Sequence, residues 1–127
     1  MKYACFGYLD VAGWEKKSPG EQQAMIDQCF AYDDSLRKRG HWAAGEGLQG
    51  ATTLSWQDGK VTVSDGPYAE TKELLGGLLI LEARDLNQAI QLISDHPGIR
   101  MGRWEIRPVQ DLKPMIEESE RRRAVKL

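Results

Sequence analysis

Residues 2–10, Lys-Tyr-Ala-Cys-Phe-Gly-Tyr-Leu-Asp, are aromatic and apolar without helical punctuation, which predicts a first strand partly buried on both faces. A helix follows. Ser18 stands as N-cap, Pro19 takes the first helical position and Glu21 is placed to close a capping box. Met25, Ile26, Cys29, Phe30 and Leu36 recur at three- and four-residue steps, while Glu21, Asp27, Asp34 and Arg37 project elsewhere. That gives one apolar stripe, which has to lie on a sheet. Gly40 ends the helix after Arg37, Lys38 and Arg39, whose charges suit the negative end of the helix dipole.

Beyond the helix, Gly45-Glu46-Gly47 reads as a chain reversal; it lacks the further glycine and the Lys-Ser/Thr of a phosphate cradle. Residues 51–57 and 60–64 flank Asp58-Gly59, the dipeptide of a tight hairpin. Residues 77–83 hold Leu78, Leu79, Ile80 and Leu81 in sequence, a strand covered on both faces. Asp85 caps a second helix with Gln88 in the box position, Leu86, Ala89, Ile90 and Ile93 form its stripe, and Pro97-Gly98 ends it. Residues 101–108 give the last strand. The order strand, helix, hairpin, strand, helix, strand predicts an α+β fold. It is a ferredoxin-like antiparallel sheet with helices on one face and an added strand. The other face then needs a partner to cover it.

Composition narrows the picture. The 127 residues suit one domain, read as 1–112, with a charged helical tail over 113–127. A net charge of -2 argues against nucleic acid as a partner. The N-terminus is no signal peptide and no apolar run approaches a membrane span, so a cytoplasmic location without membrane contact is expected. Cys5 and Cys29 lack ligand spacing and read as buried thiols. Without a dinucleotide, metal or haem motif, no cofactor is expected.

Candidate chemistry gathers in two places. In the last strand Arg103, Glu105 and Arg107 share one face, opposite Trp104 and Ile106, because side chains alternate. That row is either an interface network neutralised by Glu105 or an anion pocket in which the fork of Arg107 grips a carboxylate. The second place is Ser64 to Glu73, where Asp-Gly-Pro forces a turn and charged side chains follow. Asp65 either bonds the amides of its own turn or acts as a general base beside Arg107. Asp65 and Glu70 are thus the candidate catalytic carboxylates, and Arg107, Glu105, Tyr68 and Lys72 the candidate substrate contacts. His41 and His96 have no ligand-spaced companion.

The run Asp65-Gly66-Pro67-Tyr68-Ala69-Glu70-Thr71-Lys72-Glu73 resembles the signature of the DGPF group of YCII-related proteins, with Tyr68 in place of the naming phenylalanine. The resemblance extends to Gly45-Glu46-Gly47-Leu48, Leu75-Gly76-Gly77 and Glu105-Ile106-Arg107-Pro108-Val109, covering most of residues 1–112. It implies a ferredoxin-like subunit that pairs sheet to sheet into a dimeric α+β barrel with a cleft. The wider family includes a dechlorinating enzyme of aromatic degradation, and DGPF genes often neighbour those of extracytoplasmic-function sigma factors. A histidine-aspartate pair is the proposed catalytic feature of other members, and no histidine here stands at a corresponding motif position. Two functions fit. One is an enzyme doing acid-base chemistry, an isomerisation or elimination, on a small anionic or oxygenated molecule. The other is a non-catalytic ligand-sensing or regulatory dimer tied to a sigma-factor response.

Overall fold

A computed structural model of the chain describes residues 1–67 and 73–125. Its elements are β1 (Lys2–Asp10), α1 (Val11–Glu15), α2 (Pro19–Lys38), β2 (Trp42–Gly47), β3 (Thr52–Gln57), β4 (Lys60–Asp65) and β5 (Glu73–Glu82). These lead into α3 (Leu86–Ser94), a 3-10 turn at Pro97–Arg100, β6 (Trp104–Pro108) and α4 (Lys113–Val125). Four strands form an antiparallel sheet in the order β2-β5-β1-β6. With the β3-β4 hairpin set aside, that is the order of a ferredoxin-like unit whose crossovers are α2 and α3.

The local signals act as their chemistry dictates. Ser18 Oγ accepts from the Glu21 amide while the Glu21 carboxylate accepts from the Ser18 amide, closing the capping box of α2. Gly40, at φ 79°, takes the left-handed turn after the helix that a side chain would resist. Asp85 accepts from the Gln88 amide and starts α3. Gly59 and Asp58 both have positive φ and turn the hairpin.

One face of the sheet, carrying Tyr3, Cys5, Leu79 and Leu81, packs on Leu36 of α2 and on Ala89, Leu92 and Ile93 of α3. Trp42, Trp104 and Ile106 close its margins. Each fully buried leucine in such a core contributes about 1.5–3 kcal/mol. The opposite face holds Phe6, Leu78 and Ile80, all half-buried, beside Glu105 and the exposed Arg107.

Several expectations are corrected. Gly45-Glu46-Gly47 is no chain reversal: it lies in β2, the edge strand paired with β5. A Cβ at Gly45 would run into the Trp42 ring and Leu79, so close packing rather than turning demands glycine there. The hairpin stands apart as its own two-stranded sheet. The last strand starts at Trp104, because residues 97–100 tighten into a 3-10 turn first. The α2 stripe is only partly buried: Leu36 is covered completely, but Phe30 is 64% exposed and Ile26 39%. Cys29 likewise is half-buried rather than buried. No helix is long and apolar enough to cross a membrane among the described residues.

Candidate functional site

The exposed stripe has a cause. Between α2 and the sheet lie two adjoining cavities, of about 290 Å³ and 350 Å³, that share Ile26, Cys29, Gly76, Gly77, His96, Met101 and Trp104 as walls. Ile26, Cys29, Phe30, Asp33 and Arg37 all line the larger one. They fall at helical three- and four-residue steps, so one face of α2 overlooks open space instead of packed core.

Set into that apolar wall is a buried polar pair. His96, 5% exposed, meets Asp33, 8% exposed, with Nε2 and Oδ1 2.9 Å apart. The Gly98 amide donates to His96 Nδ1 at 2.9 Å, so the ring hydrogen sits on Nε2 and is donated to Asp33. Both imidazole nitrogens are therefore committed. Tyr32 and Trp104 hold the ring from two sides, each at 5.2 Å between centroids. Asp33 is the member with something to spare. One oxygen takes the His96 hydrogen, and the side chain keeps 11% of its surface accessible where it lines the cavity.

The other groups at this site are quieter. Burial pushes the Cys29 thiol up, with the Asp33 charge acting the same way, so it stays a neutral thiol at neutral pH. Arg37 stands over the Trp42 ring at 4.1 Å and pairs with Asp34 at 2.7 Å, leaving a cation at the margin of the cavity.

The floor is a row of glycines. Gly47 pairs with Gly77, Gly77 with Gly7, and Gly7 with Trp104, straight across the four strands. A strand-interior glycine costs about 0.5–1 kcal/mol relative to alanine, so three in register are a standing expense of the fold. At Gly7 the reason is contact: a Cβ would lie 2.8 Å from the Trp104 indole.

The residues singled out from sequence are distributed differently. Glu105 and Arg107 lie on the opposite sheet face, where the Tyr8 hydroxyl donates to Glu105 at 2.6 Å and Arg107 approaches it at 3.6 Å. The Tyr8 hydrogen bond is the main reason the Glu105 carboxyl is held below its usual range, helped by Arg107. Arg103 pairs instead with Glu73 at 3.1 Å. Asp65 ends β4, exposed, opposite Thr52, and is not brought against Arg107 within the chain. Tyr68, Glu70 and Lys72 lie outside the described residues. His41 Nδ1 bonds the Glu82 carbonyl at 2.8 Å, a structural use.

What sequence reasoning missed is Asp33. Its signal was a carboxylate at the stripe position between Phe30 and Leu36, where an apolar residue belongs. Its companion lies 63 residues away. No group of metal-ligating side chains forms among the described residues.

The profile of the YCII-related domain matches residues 1–113. The chain belongs to the YCII-related family. An uncharacterised protein of Rhizobium meliloti is 36% identical to this YCII-related chain over 121 residues, 90% of this chain and 96% of its own. Among solved structures, the chain is similar to the 5-chloro-2-hydroxyhydroquinone dehydrochlorinase TftG of Burkholderia phenoliruptrix, solved with 2,5-dihydroxybenzoquinone. That likeness has a TM-score of 0.47 at 17% identity, over 87% of this chain and 94% of the other.

Proposed function

We propose that this YCII-related protein binds a small oxygenated or anionic molecule in the cavity under α2 and performs acid-base chemistry on it, with Asp33 as base. The observation that carries the reading is a carboxylate held by a buried histidine at the wall of a largely apolar cavity, with Arg37 and Glu46 also on its lining. Asp33 takes a proton from a carbon or hydroxyl of the substrate and becomes a carboxylic acid, and the freed electron pair forms a new double bond. In an isomerisation the same proton returns at another carbon; in an elimination the electron pair expels a leaving group. His96 is a positioning residue, orienting the carboxylate through Nε2–H. Arg37 at the margin supplies a cation for an anionic substituent.

The test is a panel of small carboxylates, phenols and lactones, followed by binding and by product formation, on wild type and Asp33→Asn. Turnover in the wild type and none in a folded Asp33→Asn is expected. Saturable binding without product would favour the ligand-sensing alternative. Turnover that survives Asp33→Asn removes the base from the scheme.

A second site reading follows from the half-buried Phe6, Leu78 and Ile80 on the open sheet face. It is a homodimer paired sheet to sheet, of the DGPF group and cytoplasmic, whose cleft holds Tyr8, Glu105 and Arg107 as an anion site. In that assembly Asp65, exposed at the end of β4, is a contributor to the cleft. Sedimentation of the wild type against a Phe6→Glu variant tests it, and a monomeric wild type removes it.

A further inference from the structure

The β3-β4 hairpin carries its two faces in an inverted sense. Its register pairs Leu54 with Val63 and Trp56 with Val61, so these four side chains share one face. All four are exposed, Trp56 by 71%. The opposite face is polar and half-buried, with Ser55 Oγ 2.9 Å from Thr62 Oγ1 and the Thr53 hydroxyl donating to the Gly66 carbonyl at 2.6 Å. A hairpin laid on its own domain shows the reverse, apolar side in and polar side out. This one pairs apart from the four-stranded sheet and lies outside the core. A two-stranded sheet without cover is marginally stable in water. The four side chains leave on the order of 500 Å² of apolar surface in one patch, a size that marks an interaction site.

We propose, building on the homodimer reading above, that a second copy of the chain covers this face, each hairpin lying along the rim of the other copy's open sheet face. Area favours that occupant. Phe6, Leu78 and Ile80 are already half-buried within one chain, so the sheet face has only a modest apolar area left to offer. A stable pair buries about 800 Å² on each partner, and the hairpin supplies the larger share of it. Symmetry favours it too: around a two-fold axis each copy both gives and receives a hairpin, so the contact is made twice. The four side chains bring no charge to desolvate, and a net charge of -2 sets little repulsion between copies.

Sedimentation equilibrium gives the dimer dissociation constant of the wild type, of Leu54→Thr combined with Trp56→Thr, of Trp56→Phe and of Phe6→Glu. Threonine keeps strand propensity at positions already in water, so the double variant should retain its circular dichroism. Val61→Thr combined with Val63→Thr replaces it should it fold poorly. The threonine variant should weaken the dimer at least about tenfold, as loss of an interface tryptophan does, while Trp56→Phe keeps most of the affinity. Iodide quenching, compared between wild type and Trp56→Phe, should find Trp56 accessible in dilute monomer and shielded in the dimer. A dimer of wild-type strength in a folded threonine variant, or a Trp56 that stays quenchable in the dimer, overturns the role of the hairpin. If Phe6→Glu still abolishes that dimer, the sheet-to-sheet reading stands without the hairpin. A monomeric wild type overturns both readings, and shielding of its Trp56 by phosphatidylcholine vesicles would assign the face to a lipid surface instead.

Discussion

Asp33 and His96 allow a stability prediction that separates the hydrogen bond from the charge. Asp33→Ala deletes the acceptor for an Nε2–H in a side chain only 5% exposed, with no other acceptor in place. Leaving a buried donor unpaired costs about 1–3 kcal/mol. Asp33→Asn keeps a carbonyl oxygen in the same position, so its loss should stay below about 1 kcal/mol, the net worth of an ordinary hydrogen bond. His96→Ala removes more, since it also strips the Gly98 amide of its acceptor and Tyr32 and Trp104 of the ring between them. In the double variant the Asp33→Ala cost should largely vanish, a coupling of about 0.5–3 kcal/mol. Urea unfolding with a common m-value measures all four variants against the wild type, and imidazole nitrogen spectra should place the ring hydrogen on Nε2. Equal stability of Asp33→Ala and Asp33→Asn, or strict additivity in the double variant, would refute the reasoning.

Other expectations concern the core and the opposite sheet face. Leu36→Ala, at a side chain with no exposure, should cost about 2–5 kcal/mol in urea unfolding; a change well under 1 kcal/mol would mean that the α2 contact is not what anchors the helix. Tyr8→Phe removes the hydrogen bond that mainly depresses the Glu105 carboxyl, so its titration, followed by carboxyl-carbon spectra, should move up toward the ordinary glutamate range. Because the folded-state value lies below the unfolded one, this carboxylate favours the fold above the unfolded pKa and loses that effect as acid protonates it. The variant should therefore show a shallower stability decline with falling pH, and an unmoved titration would contradict the cause assigned.

Much of the fold was legible because its signals are short-range. Ser18-Glu21, Asp85-Gln88 and Asp58-Gly59 each act through bonds within a few residues, so sequence alone locates two helix starts and a hairpin. β2 was illegible for the converse reason. Its glycines resemble a turn locally, and only pairing with β5, thirty or more residues on, makes a strand of them. The site was harder still. Charged clusters near the turn at Asp65 drew attention, whereas the pair that faces the cavity joins a helix to a turn across the sheet. Nothing in local periodicity announces that Asp33 and His96 meet. A lone carboxylate inside an apolar stripe is the one trace the sequence carries.

The roof of the cavity is held unevenly. Only Asp33 and Leu36 of α2 are buried, both toward its C-terminal end, while the first two turns and more bury nothing. The arm that carries Ile26 and Cys29 is tied instead through polar side chains: Gln22 donates to the Trp14 carbonyl at 3.0 Å and Gln28 accepts from Arg100 at 3.1 Å. That buried end is held by the Asp33–His96 bond together with the covered Leu36. The carboxylate proposed as base thus lies in the most firmly buried stretch of the helix, where local opening costs most.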